Sequence, residues 1–292
     1  MRGLCFIRNT PFALMASSVL HRSVESAAES CCSVVELRQY TLHPGQRDTL
    51  IELVEREFVE SQEALGMRII GQFRDLDKPD RFVWLRGFPD MEARDAALRA
   101  FYGGPVWAAH RATANATMID ASNVLLLRLA RADSGFRVDG LDRAPIGATQ
   151  CSEHVIVATI CYLSAPRQDA PDALRASPTG GEPGLGRPCA GQAFIDSFED
   201  SILPALADAG AAIVGAFATE GSENTFPVLP VRDESVFVWF SAFRNSTHYE
   251  SHRAQLEASR HWREEIHPSL RARLVSDPEI LRLSPTARSL LT

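Results

Sequence analysis

From Val34 onward the chain switches repeatedly between two hydrophobic periods. Val34 to Leu42 (VVELRQYTL) alternates apolar and polar side chains and is rich in β-branched residues, the pattern of a strand. After the turn at His43-Pro44-Gly45, the apolar positions Leu50, Leu53, Val54 and Phe58 predict a helix over Gln46 to Leu65, ended by Gly66. Two further strands follow, Arg68 to Asp75 and Arg81 to Phe88. A helix opens at Asp90 and runs to about Phe101. Gly103-Gly104-Pro105 breaks it, and Pro105 suits the first turn of a second helix. Asn123 to Leu129 (NVLLLRL) closes the unit as a fourth strand. The order β-α-β-β-α-β, with an extra helix before the last strand, is the ferredoxin-like arrangement. Its antiparallel sheet carries helices on one face and needs a cover for the other.

The second half supplies that cover. Gly66-Met67-Arg68-Ile69-Ile70-Gly71-Gln72-Phe73 aligns without gaps on Gly210-Ala211-Ala212-Ile213-Val214-Gly215-Ala216-Phe217. Phe82-Val83-Trp84 then aligns on Phe237-Val238-Trp239, Phe88 on Phe243 and Trp107 on Trp262. Leu127-Arg128-Leu129 aligns on Leu281-Arg282-Leu283. The copy's first strand is expected at His154 to Leu163 and its first helix at Gln192 to Ala209. The reading is therefore α+β: two tandem ferredoxin-like (βαββαβ) domains packed sheet to sheet as an α+β barrel within one chain. The boundaries are a disordered leader at 1–33, a first domain at 34–131, a linker at 132–150 and a degenerate second domain at 151–292. A Pro/Gly-rich loop is expected within the second domain at 165–191.

Composition narrows the partners. A formal net charge of -7 argues against a nucleic-acid surface. No apolar run approaches the roughly 18 residues a membrane span needs. The six cysteines include no CxxC pair and no zinc-finger spacing to histidine, which suits a reducing, cytoplasmic compartment and no metal. Arg2 and Arg8 before the apolar stretch Pro11 to Leu20 leave a weak targeting peptide and a start placed too far upstream equally open.

The stretch Val35-Glu36-Leu37-Arg38-Gln39-Tyr40-Thr41-Leu42, followed by Pro44-Gly45, resembles the opening of NIPSNAP domains. Phe82-Val83-Trp84-Leu85-Arg86-Gly87-Phe88 and Pro105-Val106-Trp107 resemble that family's third strand and following helix. The second half resembles it as a degenerate copy, because its opening strand VIVATICYL lacks the Glu-Leu-Arg-x-Tyr pattern. The resemblance implies the dimeric α+β barrel superfamily, which includes cofactor-free monooxygenases and haem enzymes, and it implies fold more than mechanism.

Candidate chemistry is sparse. On the helix from Pro105, the spacing places Trp107, His110, Arg111, Ala114 and Met118 on one face. His110 is the candidate catalytic base, but a structural histidine is the favoured reading there, because nothing else completes a catalytic constellation and the copy has Glu265 in its place. Arg38, Tyr40, Trp84, Arg86 and Trp107 are candidate substrate-binding residues, suited to a carboxylate or a phenol. Trp84 and Trp239 recur at equivalent positions, as core tryptophans would. His248 and His252 stand four apart, close enough for one metal but with no third ligand. No cofactor is expected, haem through His110, His248 or His252 being the remote exception. No nucleophile elbow, phosphate loop or dinucleotide fingerprint is present. The expected function is binding of a small molecule or a protein partner through the barrel. The alternative is a cofactor-free monooxygenase acting on an aromatic or polyketide-like substrate. A homodimer is compatible with either.

Overall fold

The computed structural model describes residues 31–164 and 190–292. The expected leader (but for Cys31 to Ser33) and nearly all of the 165–191 loop lie outside the described residues. The first half contains β1 (Val34–Leu42), α1, β2 (Arg68–Asp75), β3 (Arg81–Phe88), α2 (Met91–Tyr102), α3 (Pro105–Thr117) and β4 (Met118–Leu129). Helix α1 consists of Arg47–Leu53 and Val59–Glu63 around a π-helical turn, Val54–Phe58. The second half contains β5 (Val155–Tyr162), α4, β6 (Ala212–Thr219), β7 (Val236–Phe243), α5 (Ser246–Ala258), α6 and β8 (Glu279–Pro285). Helix α4 joins Ala190–Ser197 and Leu203–Asp208 through a second π-helical turn, Phe198–Ile202. Helix α6 is the π-helical turn Trp262–Ile266 followed by His267–Arg271.

The eight strands close into an antiparallel barrel in the order β1-β3-β2-β8-β5-β7-β6-β4. Read within each half, the order is β4-β1-β3-β2 and β8-β5-β7-β6, the same arrangement twice. The seams are short. β2 meets β8 through Phe73, Arg74 and Asp75, and β4 meets β6 through Leu127, Arg128 and Leu129. Strand β4 begins at Met118, well before the expected Asn123, because Leu42 pairs with Met118 and Thr41 with Asp120 across register shifts. Met118, which helical spacing assigns to the face of α3, is thus a strand residue.

Alternation along the strands separates two environments. Val35, Leu37, Val83, Leu85, Leu125 and Leu127 pack inside the barrel against Ile156, Ala158, Ile160, Val238, Phe240, Leu281 and Leu283. Each sheet covers the apolar face of the other, so the barrel has one shared core. The 132–150 segment contributes to it: Phe136 packs on Phe217 and Phe240, with ring centroids 4.8 and 5.0 Å apart. Towards another part of the barrel the inward side chains are polar. Arg81 bonds Gln39 at 2.8 Å, Tyr162 bonds Glu279 at 2.8 Å, and Arg232 bonds both Tyr162 and Asn123.

The same strand devices recur in both halves. A register shift lies between Ile69 and Gly71 in β2, and another between Ile213 and Gly215 in β6. A Cβ at Gly71 would overlap the ring of Phe73, and one at Gly215 the ring of Phe217. These glycines let each strand kink against a core phenylalanine.

Candidate functional site

The opposite strand face of the first half lies beneath its helices, in a layer with its own apolar core. Val34, Tyr40, Leu42, Phe82, Trp84 and Phe88 meet Leu50, Val54, Phe58, Leu98 and Phe101 there. Period-two alternation puts Glu36 and Arg38 on this same face of β1, between Val34 and Tyr40. The β1–β3 register sets Glu36 opposite Arg86 and Arg38 opposite Trp84. Helix α2, capped where the Asp90 side chain accepts from the Ala93 N–H at 2.7 Å, brings Arg94 down from above.

These residues form a buried ionic cluster. Arg38 Nη1 and Arg86 Nε both donate to Glu36 Oε2 at 2.8 Å, and Arg94 Nε donates to Glu36 Oε1 at 2.7 Å. All four side chains are at most 1% exposed. Arg38 Nε also donates to the Tyr40 hydroxyl at 2.9 Å, and Arg86 Nη1 to Gln62 Oε1 at 2.9 Å. Gln62 in turn donates to the Phe58 carbonyl at the end of the π-helical turn. Trp84 lies between two guanidiniums, its ring 5.7 Å from that of Arg38 and 5.2 Å from that of Arg86, within cation–π range.

A loop of the second half closes over the cluster. Asn224, between β6 and β7, accepts from Arg94 Nη1 at 3.1 Å, and Phe226 stacks on Tyr102 with centroids 5.8 Å apart. The corresponding connection in the first half, between β2 and β3, is a short turn.

The charges do not balance. Three guanidiniums share one carboxylate, and burial makes an excess of positive charge costly unless something answers it. Burial by itself pushes the Glu36 carboxyl up. Arg86, Arg38 and Arg94 overcome that push and hold it well below the usual carboxylate range. Burial likewise drives the Tyr40 hydroxyl up, against the opposing pull of Arg38, so it stays a neutral phenol. Arg86 Nη2, Arg94 Nη2 and Trp84 Nε1 are buried donors with no hydrogen-bond partner among the described residues. An acceptor-rich, anionic group is the chemistry they lack.

Of the residues singled out in the sequence, the fold brings Arg38, Tyr40, Trp84 and Arg86 together. Trp107 stands one layer back, against Tyr102 at 4.9 Å and Phe58 at 5.7 Å. His110 is apart from the cluster. It pairs with Glu57 at 3.4 Å, both side chains about a third exposed, and meets Phe58 edge-on. Sequence reasoning missed Glu36, Gln62, Arg94 and Asn224. Glu36 was legible as the residue two before Arg38 on a strand; the other three depend on helix and loop packing.

The histidine pair separates in the second half. His252 is 5% exposed and bonds the Ala209 carbonyl through Nδ1 at 2.9 Å, whereas His248 Nδ1 accepts from the Arg244 N–H at the start of α5. No group of three or more His, Cys, Asp or Glu side chains among the described residues could hold a metal ion. With Nδ1 bonded to a carbonyl, His252 has only Nε2 to offer a haem iron, but the cavity beside it measures about 150 Å³. That is below the roughly 300–1,000 Å³ of pockets for much smaller, drug-sized molecules, so haem does not fit there. No helix among the described residues is long and apolar enough to cross a membrane.

Residues 35–132, about a third of the chain, match the NIPSNAP family model. Among proteins of curated function, none matches. A putative monooxygenase from Lactobacillus acidophilus NCFM is similar at 14% identity and a TM-score of 0.48, over 88% of this chain and 97% of that one. A NIPSNAP family protein from Agrobacterium tumefaciens str. C58 is similar at 18% identity and a TM-score of 0.31, over 33% of this chain and 91% of that one. A chlorite dismutase from Candidatus Nitrospira defluvii is similar at 10% identity and a TM-score of 0.43, over 90% and 94%. The family match likens the first half of the chain to NIPSNAP domains; at these identities and TM-scores no chemistry is carried over from the solved structures.

Proposed function

We propose that the protein binds a small anionic molecule, a carboxylate or an ionised phenol on an aromatic frame, beneath the helices of its first half. The observation that carries this reading is the buried excess of guanidinium charge, with Arg86 Nη2 and Arg94 Nη2 left without a hydrogen-bond partner among the described residues. In this reading Arg86 and Arg94 supply the charge-assisted hydrogen bonds, Arg38 and Tyr40 fix the orientation, and Trp84 gives the ring a stacking wall. Trp107 supports Tyr102 from behind. Isothermal titration of the full chain with benzoate and salicylate, against neutral benzamide, tests it. Carboxylates are expected to bind at least about tenfold tighter, and Arg94→Met should weaken them while circular dichroism shows an intact fold. Equal binding of carboxylate and amide, or none at millimolar concentration, overturns it.

The same cluster favours one enzymatic reading, a cofactor-free monooxygenase for an aromatic or polyketide-like substrate. A phenolate or enolate held against guanidiniums is the electron-rich form that reacts with dioxygen. At a ring CH2 both C–H bonds break, one oxygen atom enters as a carbonyl, and the other leaves as water with the two hydrogens, so the substrate itself is the reductant. His110, the base expected from the sequence, stands apart from the cluster beside Glu57, so it could take only a proton of a substrate reaching beyond the guanidiniums. Oxygen uptake on addition of a hydroxyanthrone checks the reading, and unchanged turnover in His110→Ala removes that residue from it.

Two structural readings belong with this proposal. In the first, the halves are duplicate ferredoxin-like domains. The matching strand orders support it, as do the π-helical turns Val54–Phe58 and Phe198–Ile202 at equivalent positions and the equivalent helix caps Asp90 and Asn245. In the second, the chain is a cytoplasmic protein that pairs as a homodimer through its outer helical faces. Because the barrel closes within one chain, the site itself needs no second subunit. Cell fractionation and native mass test the location and the pairing.

A further inference from the structure

The layer beneath the helices of the second half holds different chemistry at the same positions. The β5–β7 register sets Val157 opposite Ser241 and Thr159 opposite Trp239, as Glu36 is set opposite Arg86 and Arg38 opposite Trp84. Val157, Thr159 and Ser241 therefore stand where the first half has Glu36, Arg38 and Arg86. Leu206 takes the place of Gln62, and Tyr249 that of Arg94. Smaller side chains leave space. A cavity of about 150 Å³ opens between Thr159, Trp239, Ser241, Tyr249, His252 and Trp262.

Its size and its polar groups both point to a ligand. A cavity of about 150 Å³ with apolar walls is large enough for benzene. Thr159, Ser241 and His252 are 7%, 4% and 5% exposed. No hydrogen bond from either hydroxyl is found among the described residues. His252 Nδ1 faces the Ala209 carbonyl at 2.9 Å; a carbonyl only accepts, so Nδ1 carries the proton. That leaves Nε2 as the acceptor of a side chain that lines the cavity. Arg253, which also borders the cavity, is half-exposed and pairs outward with Glu250 and Glu257.

We propose that this cavity is a second binding site, for a neutral single-ring hydroxyaromatic molecule whose hydroxyl donates to His252 and whose ring lies against Trp239 and Trp262. It is independent of the anion site of the first half. Fluorine NMR titration of the full chain with 4-fluorophenol, and with 4-fluorotoluene as the partner lacking a donor, tests it. The phenol is expected to bind about two- to tenfold tighter, the range one net hydrogen bond supplies. His252→Leu should bring the phenol to the toluene's affinity, and an excess of benzoate, the probe of the first-half site, should leave both unchanged. Should His252→Leu fail to fold, Ser241→Ile narrows the cavity from the strand side and is expected to weaken both ligands. Equal affinities in the unaltered chain, no binding at millimolar concentration, or displacement of the phenol by benzoate would each overturn the proposal.

Discussion

Beneath the helices of the first half, the sheet buries Glu36, Arg38 and Arg86; at the same positions the second half buries Val157, Thr159 and Ser241. The backbone devices around them are shared. Both opening helices contain a π-helical turn, and both second strands kink at a glycine that touches a core phenylalanine. Trp84 and Trp239 keep their places. The comparison teaches that packing positions and chemical positions on one sheet face are separable. The tryptophans and phenylalanines hold helices to strands in both halves, while the residues between them set an ionic layer in one and a neutral, partly open layer in the other.

The largest test removes the carboxylate. Glu36→Gln leaves three buried guanidiniums without their shared counter-ion and is expected to cost about 3–5 kcal/mol in urea unfolding. Transplanting the second half's solution, Glu36→Val with Arg38→Thr, Arg86→Ser and Arg94→Tyr, should cost less than that single change. Removing all the charges together removes their desolvation penalty as well. A transplant less stable than Glu36→Gln would break the comparison.

Next in size is the loop that only one half receives. Asn224→Ala takes the acceptor from Arg94 Nη1, and the expected loss is about 1–2 kcal/mol by the same measurement.

Acid should separate the halves. Burial holds the His252 imidazole below its ordinary value of 6.5, so its contribution is complete above that pH. It is lost as pH falls from 6.5 towards the lower folded value, with a slope of at most about 1.4 kcal/mol per pH unit. Glu36 is held below its ordinary value of 4.5, so its contribution persists to that pH and fades only beneath it. Unfolding measured between about pH 7 and 5 should therefore lose part of its slope in His252→Phe and keep it in Glu36→Gln. The smallest effect belongs to His110→Ala. Its pair with Glu57 is partly exposed, and the expected change in stability is below about 1 kcal/mol.

Much of the barrel was legible because each element depends on local pattern. Val34–Leu42 alternates, Gly66 and Gly210 end helices at positive φ, and Asp90 and Pro105 mark helix starts. The long start of β4 was not legible, since Met118 fits the α3 spacing and joins the strand only by pairing with Leu42. The candidate site was half legible. Arg38, Tyr40, Trp84 and Arg86 stand out as polar or aromatic residues within strands, but nothing local says that Arg94 turns inward from α2 to the same carboxylate.

The sequence by itself determined the periods, the turns and the internal likeness of the two halves, because those follow from short-range sterics and the alternation of side chains along a strand. Only the tertiary structure decided which strand face met the other sheet and which met the helices, and so whether Glu36 and Arg86 would be solvated or buried. Their environment depends on what packs over them: α1, α2 and a distant loop of the second half, whose Asn224 reaches Arg94 across the closed barrel.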